Sequence, residues 1–154
     1  MVVAQSGQTP TPKPRVSYVV GRLDRALRRH LDDGIAQHGL TTLQYTTLSV
    51  LRARSGLSGA QLARRSFMTP QSMSEVLARL EQKGLIRRDP DPDHGRVLRV
   101  ELTSAGHEAL ALCDGVVDEI EETMLGQLTG GEREQLAAWM VGCVRMLGAG
   151  LLEP

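Results

Sequence analysis

The sequence predicts a mainly α-helical protein with a small β-wing, namely a winged helix-turn-helix joined to a helical dimerisation region. Residues 57–104 contain two short capped helices and then two alternating segments around a turn-rich tip. Aromatic residues make up 3% of the chain and hydrophobic residues 41%, so the core must consist mainly of aliphatic side chains, as in packed helices. Long helices fit the two proline-free intervals, from Pro14 to Pro70 and from Pro92 to Pro154.

Charge is unevenly distributed along the chain, although the formal net charge is zero. Residues 1–40 carry six Lys/Arg against three Asp/Glu, residues 41–99 carry ten against five, and residues 100–154 carry two against ten. A middle segment of net charge +5 favours contact with a polyanion, although unrelated solvated surfaces would produce the same counts. No apolar run has transmembrane or signal-peptide length, so we expect a cytoplasmic protein without membrane contact.

The N-terminal third is expected to hold a disordered arm and two helices. The arm covers residues 1–14, which are polar and contain three prolines. A first helix is predicted over about residues 15–37, because apolar side chains recur there at spacings of one, three and four. A second helix begins at Thr41, where Gln44 completes a capping box, and Gly56 ends it.

Two shorter helices follow with the same kind of start signal. Ser58 caps the third helix, and Gln61 closes its capping box. Thr69 caps the fourth helix with Pro70 at the first helical position, and Gly84 ends it. The fourth helix has a core stripe at the i, i+3, i+4, i+7 spacing, formed by Met73, Val76, Leu77 and Leu80.

The remaining segments predict a hairpin and two further helices. In residues 85–89 and 96–102, apolar and polar residues alternate well enough to predict two paired strands. The turn-rich residues 90–95 form the loop tip between them. A long helix is predicted from Thr103 and a final helix from Thr129. These two helices carry more apolar surface than a small domain can cover, which indicates a homodimer interface that includes the first helix.

The outward side of the fourth helix is small and polar, as expected of a helix that enters a DNA major groove. Arg96 lies near the wing tip, where arginine can enter a minor groove, or can instead pair with Asp91 or Asp93. Other arginines, including Arg87 and Arg99, are candidates for phosphate contacts, and some of them are expected to be only solvated or paired with Glu81 or Glu101. The predicted DNA contacts are Thr41, Thr42, Arg64, Arg65, Thr69, Pro70, Gln71, Ser72, Ser74, Arg79, Arg88, His94 and Arg96.

The stretch from Arg88 to Gly106 is the most specific part of the chain, with DPDPDHGR at the wing and LTSAG after the second strand. Together with Leu40-Thr41, Leu62-Ala63 and residues 69–86, it resembles the MarR family of bacterial winged-helix regulators over nearly the full length. In that family the wing commonly has Asp-x-Arg before the strand and Leu-Thr-x-x-Gly after it. Here Arg96 matches, whereas His94 occupies the Asp position and Asp93 stands one residue earlier.

The resemblance implies a triangular homodimer, joined by its first and last two helices, that binds palindromic operators in double-stranded DNA. Family members usually repress neighbouring genes and are often released by small phenolic or other aromatic anions, by oxidants or by metals. The resulting domain prediction is a winged helix-turn-helix DNA-binding domain over residues 39–102 and a dimerisation region over residues 15–38 and 103–154.

A small-molecule effector would occupy a cleft between the dimerisation and DNA-binding parts, as the resemblance implies. Tyr18, Arg22 and Tyr45 are candidates for ligand binding there, and a role as partly buried structural side chains is the alternative interpretation. Cys113 and Cys143 lie on apolar stripes, not at the start of the first helix where redox-sensing members carry a reactive cysteine. Both are therefore expected to be buried thiols.

Other functional classes have little support in the sequence. The histidines are spread without HxxxH or HxH spacing, so we expect no metal site and no cofactor. No nucleophile–base pair or glycine-rich phosphate loop indicates an enzyme, so no catalytic residues are predicted. A winged-helix protein-interaction module without DNA binding is the alternative function.

Overall fold

Six α-helices and a three-stranded antiparallel sheet make up the described part of the computed structural model, which covers residues 13–66, 68–93 and 95–148. All six predicted helices are confirmed at closely similar positions. The predicted arm, residues 1–14, lies outside the described residues except for its last two positions. In chain order the elements are α1 (Val16–Ala36), α2 (Thr42–Ala53), β1 (Leu57–Ser58), α3 (Gly59–Arg65), α4 (Pro70–Gln82), β2 (Ile86–Pro90), β3 (Leu98–Leu102), α5 (Ser104–Leu125) and α6 (Gly130–Met146).

Side-chain caps determine where most of these helices begin. At α2, Thr41 Oγ1 accepts a hydrogen bond from the Gln44 amide at 3.2 Å, and Gln44 Oε1 accepts one from the Thr41 amide at 3.1 Å. Equivalent reciprocal boxes open α3 and α6, which confirms all three predicted capping boxes. The caps satisfy amide groups that the first turn of a helix leaves without intrahelical partners.

The sheet has the order β1-β3-β2, with β3 in the centre and both neighbours antiparallel to it. The predicted hairpin is confirmed, and its register pairs Ile86 with Leu102. Strand β1 was not predicted. It pairs Leu57 with Val100, and a strand of two residues is too short to show alternation. Its pairing depends on the packing that brings the start of α3 to the edge of β3.

The main core lies within the winged helix-turn-helix. Met73 and Leu80 of α4 are fully covered and Val76 and Leu77 nearly so, which confirms the predicted stripe. These side chains belong to one hydrophobic cluster with residues of the surrounding helices and sheet. The cluster also includes Leu48 and Leu51 of α2, Leu62 of α3, Val100 of β3, and Leu110 and Cys113 of α5.

The Leu-Thr-x-x-Gly motif has a direct structural explanation at the junction of β3 and α5. Thr103 caps α5 by accepting a hydrogen bond from the Gly106 amide at 3.1 Å, and its hydroxyl donates to the Gly84 carbonyl at 2.6 Å. A Cβ on Gly106 would lie 2.0 Å from the Leu85 carbonyl oxygen. Glycine is therefore required for α5 to approach the end of α4 this closely.

The apolar faces of α1 and α6 remain largely uncovered by the described residues of one chain. Val16 is 78% exposed, Trp139 65% and Leu147 85%, and no residue of α6 is buried. The expectation of two buried thiols is confirmed for Cys113 but is wrong for Cys143, which is exposed because the described residues bury no side chain of α6. Within the described ranges, no helix combines the length and apolar character needed to cross a bilayer.

Candidate DNA-binding surface

Helix α4 presents a polar face to solvent because its apolar stripe is committed to the core. Gln71, Ser72, Ser74 and Arg79 are all exposed. The Thr69 side chain caps the helix by accepting a hydrogen bond from the Ser72 amide at 3.1 Å, and its hydroxyl donates to Ser72 Oγ at 2.9 Å. Since Ser72 Oγ accepts this bond, its own hydrogen is available to a phosphate or a base. Pro70 is exposed at the first turn, as predicted.

The last turn of α3 places two cations next to the start of α4. Arg64 is exposed and Arg65 is half-buried. The connection between the helices is tight, because the Met68 amide donates to the Ala63 carbonyl at 2.9 Å. No ion pair within the described part of the chain involves Arg64, Arg65 or Arg79. These three guanidinium groups are therefore available to an external anion.

Most arginines of the wing are held by neighbouring carboxylates. Arg87 pairs with Glu101, and its Nε lies 3.3 Å from Asp89. Arg99 Nε donates to Asp91 at 2.7 Å. The expected pairing with Glu101 is confirmed for Arg87, whereas Arg99 pairs with Asp91 instead.

Arg88, a predicted DNA contact, also has an intrachain partner. Its Nε donates to Glu81 Oε2 at 2.9 Å, and this contact lowers the pKa of the Glu81 carboxyl. A DNA phosphate would have to compete with Glu81 for this guanidinium group.

Arg96 is the exception in the wing. It is exposed, and among the residues that the structure describes it makes no ion pair. Asp91 and Asp93, the partners that the alternative interpretation assigned to it, both pair with Arg99. His94, the remaining wing residue of the prediction, lies outside the described residues.

The two threonines at the start of α2 already have intrachain roles. Thr41 Oγ1 is the acceptor of the capping box. The Thr42 hydroxyl donates to Asp32 Oδ1 of α1 at 2.5 Å. A phosphate bound here would meet exposed Thr41 first, because Thr42 is half-buried and its hydroxyl hydrogen is in use.

The three predicted ligand residues are in different surroundings. Tyr18 and Arg22 are exposed on α1, whereas Tyr45 is half-buried on α2. The Tyr45 hydroxyl donates to Asp114 Oδ1 of α5 at 3.0 Å, and burial raises its pKa. Arg52 also binds Asp114, and this contact lowers the pKa of the carboxyl. Sequence reasoning missed Asp114, because no local pattern shows that α2 lies opposite it.

A groove of about 280 Å³ lies between α1 and α5, and none of the three predicted ligand residues lines it. Its wall is mainly apolar, with His30 and Glu119 as its ionisable side chains. Within the described ranges, no group of three or more His, Cys, Asp or Glu side chains is placed to hold a metal ion. The other lining residues are Leu23, Ala26, Leu27, Ile120, Thr123 and Met124.

Comparisons with known proteins point to one family. A sequence model described as MarR family matches residues 38–97. The HTH-type transcriptional repressor Rv2887 of Mycobacterium tuberculosis is 31% identical over 120 residues, which cover 78% of this chain and 86% of that protein.

Solved structures agree with the sequence comparison. MepR of Staphylococcus aureus, a transcription regulator of the multidrug efflux pump MepA, superimposes with a TM-score of 0.71 at 28% identity, covering 86% of this chain and 98% of MepR. A MepR variant bound to an oligodeoxyribonucleotide has a TM-score of 0.61, also at 28% identity, and the match covers 88% of this chain and 99% of that chain.

Proposed function

The chain belongs to the MarR family of transcription regulators, and we propose that it is a homodimeric repressor that binds a palindromic operator. The observation that carries this proposal is the exposed polar face of α4, which lies next to arginines that make no ion pair with any described residue. A helix with small polar side chains fits the major groove, where it can contact base edges. The relatives support repression in particular, since Rv2887 is a repressor by name.

In the proposed complex, sequence recognition and affinity come from different side chains. Gln71, Ser72 and Ser74 of α4 face the base edges, and the amides at the start of α4 face a phosphate. Arg64, Arg65 and Arg79 neutralise backbone phosphates, and Arg96 enters the adjacent minor groove from the wing. Further contacts are assigned to Thr41, Thr42, Thr69, Pro70, Arg88 and His94.

The dimer is proposed from the uncovered apolar faces of α1 and α6. Trp139, Met140 and Met146 are exposed on α6, as is Leu147 directly after it, and Val16, Val19 and Val20 are exposed on α1. A monomeric protein rarely leaves so many large apolar side chains in water, so a second copy is the natural partner for residues 15–38 and 103–154. A twofold dimer places two copies of α4 about 10 bp apart on one side of the duplex.

We further propose that a small aromatic ligand controls the release of DNA. Tyr18 and Arg22 on α1 and Tyr45 on α2 are proposed to supply the aromatic and cationic groups of its binding site. A ligand there would release DNA only if it binds more tightly to a dimer whose two α4 helices are wrongly spaced for the operator.

The test is binding of the purified protein to DNA flanking its own gene, compared with random duplex, over a range of salt concentrations. We expect tight, sequence-selective binding that weakens steeply with salt. Arg96→Ala should weaken it, whereas Arg28→Ala should not, because Arg28 lies on α1 and pairs with Asp24. If a folded dimer binds flanking DNA no better than random DNA, the protein-interaction module becomes the preferred function, or the targets lie elsewhere.

A further inference from the structure

Helix α4 carries one acidic side chain in the middle of its outward face. Glu75 is exposed, and it has no ion-pair partner in the described part of the chain. Gln71 and Arg79 stand four residues before and after it and therefore lie on the same side of the helix. Met73, Val76 and the other buried residues of α4 lie on the opposite side. When α4 enters a groove, Glu75 enters with it.

A carboxylate in this position is unfavourable unless it finds a hydrogen-bond donor. The groove is flanked by negatively charged phosphates, and a carboxylate that loses water without gaining a donor is strongly destabilised. Arg79 stands four residues later on the same side of the helix, but the two side chains form no ion pair within 4.0 Å. The donor must therefore come mainly from the DNA.

The base edges of the major groove offer only two kinds of donor. Guanine presents N7 and O6 as acceptors and thymine presents O4, so both repel a carboxylate. Adenine presents a donor at N6, but its N7 acceptor lies next to that donor. Cytosine presents the N4 amino group and no acceptor, which makes it the best complement to an acceptor-only side chain.

We infer that Glu75 accepts a hydrogen bond from the N4 amino group of a cytosine, so that each operator half-site requires a C·G pair at the position below Glu75. This inference rests on the proposed function, since it assumes that α4 enters the major groove. Glu75 then determines specificity in two ways. It accepts a hydrogen bond from cytosine, and it disfavours the other bases, which leave its carboxylate without a suitable donor. Non-specific binding is weakened at the same time, since most sequences leave the carboxylate without a donor.

The test is selection of binding sequences from randomised duplexes, followed by affinity measurements on the selected site and its single-base variants. Wild-type protein should select cytosine at one position of each half-site, and another base there should weaken binding about tenfold or more. Glu75→Ala should lose selectivity at that position alone and bind random DNA more tightly. Glu75→Gln should shift the preference to adenine, since glutamine pairs with adenine N6 and N7.

The control is Glu108→Gln, which removes the same charge from an exposed site on α5, apart from the faces of α1 and α6 that are proposed for the dimer. It should select the wild-type operator without change. If both Glu75 variants select the same bases as wild type at every position, the inference is overturned while the regulator proposal stands. A uniform loss of affinity across all sequences in Glu75→Gln would also overturn it, and would indicate that Glu75 orients Arg79 toward a phosphate. If no protein enriches any sequence, the regulator proposal itself fails.

Discussion

The hydroxyl of Tyr45 on α2 donates a 3.0 Å hydrogen bond to Oδ1 of Asp114 on α5, and so joins two helices whose contacting residues are 69 positions apart in the chain. Arg52, also on α2, binds the same carboxylate. Helix α2 belongs to the winged helix-turn-helix, and α5 extends from it toward the apolar faces proposed for dimerisation. Asp114 therefore helps to determine the orientation of the winged helix-turn-helix relative to α5.

Replacing Tyr45 with Phe keeps the ring and removes the hydrogen bond. We expect the free energy of unfolding to fall by about 1 kcal/mol, because Arg52 and water still satisfy the carboxylate. Urea unfolding at one fixed protein concentration measures this change, since the stability of a dimer depends on concentration. Tyr18→Phe is the matched control, because Tyr18 is exposed on α1. An equally large effect of the control would contradict the structural role assigned to Tyr45.

The contribution of Asp114 to stability should depend on pH. Its pKa is lowered mainly by Arg52, below the ordinary value of 3.8 for an aspartate. The carboxylate therefore stabilises the folded protein fully above that ordinary value, and the stabilisation is lost as the pH falls through the folded-state pKa. We expect wild type to be more stable than Asp114→Asn near neutral pH, with the difference shrinking below pH 4 or so.

Urea unfolding of wild type and of Asp114→Asn across this pH range measures the difference in their free energies of unfolding. Asp118→Asn, which lies one helical turn further along α5 and is exposed, is the control and should show little difference at any pH. A wild-type advantage over Asp114→Asn that stays constant down to pH values well below 3.8 would contradict the assigned pKa direction.

Gly106→Ala should be strongly destabilising. The new Cβ would lie 2.0 Å from the Leu85 carbonyl oxygen, so the start of α5 would have to move away from the end of α4. We expect a loss of about 2 kcal/mol or more in thermal or urea unfolding. Gly21→Ala in α1 places the added methyl group more than 4 Å from every described atom outside the local helix backbone and should instead be neutral or stabilising by up to about 1 kcal/mol. Similar effects at the two sites would show that the close contact at Gly106 can relax.

Arg96 should contribute more to DNA affinity than Arg88. Arg88 is held by Glu81, whereas Arg96 makes no ion pair within the described residues. Arg96→Ala should therefore weaken binding several-fold. It should also lower the slope of log affinity against log salt concentration by about 1, because one cation that displaces counterions from the DNA is lost. Arg88→Ala should have a smaller effect on both quantities. Fluorescence anisotropy titrations over a salt series would measure them, and the reverse order would show that DNA displaces Glu81 from Arg88.

Trp139→Glu should convert the protein to monomers. Trp139 is 65% exposed on the uncovered face of α6, and a carboxylate there would be buried without a partner in a dimer interface. Analytical ultracentrifugation measures the association state, and operator affinity should fall together with it, since a monomer contacts only one half-site. Trp139→Phe should remain dimeric. If the Trp139→Glu variant remains dimeric, the dimer interface does not include this face of α6.

The sequence was most informative where structure depends on near neighbours in the chain. The capping boxes at Thr41, Ser58 and Thr129 each join residues three positions apart, and a box of this kind begins a helix wherever it is formed. The buried stripe of α4 follows from helical periodicity in the same way. These local signals determined the helices, the hairpin, the polar face of α4 and the resemblance to one family.

Only the tertiary structure decided which charged side chains are free and which are held. Arg88 and Arg96 are both wing arginines that the sequence predicts as DNA contacts. In the structure, however, Arg88 pairs with Glu81 and Arg96 does not. Strand β1 and the contact of Tyr45 with Asp114 were equally hidden, because they join segments that are far apart in the chain. Such contacts depend on how whole elements pack, and no short-range period or spacing encodes that packing. The sequence by itself therefore determined the elements and their outward faces, while packing of the core decided the partners of each arginine.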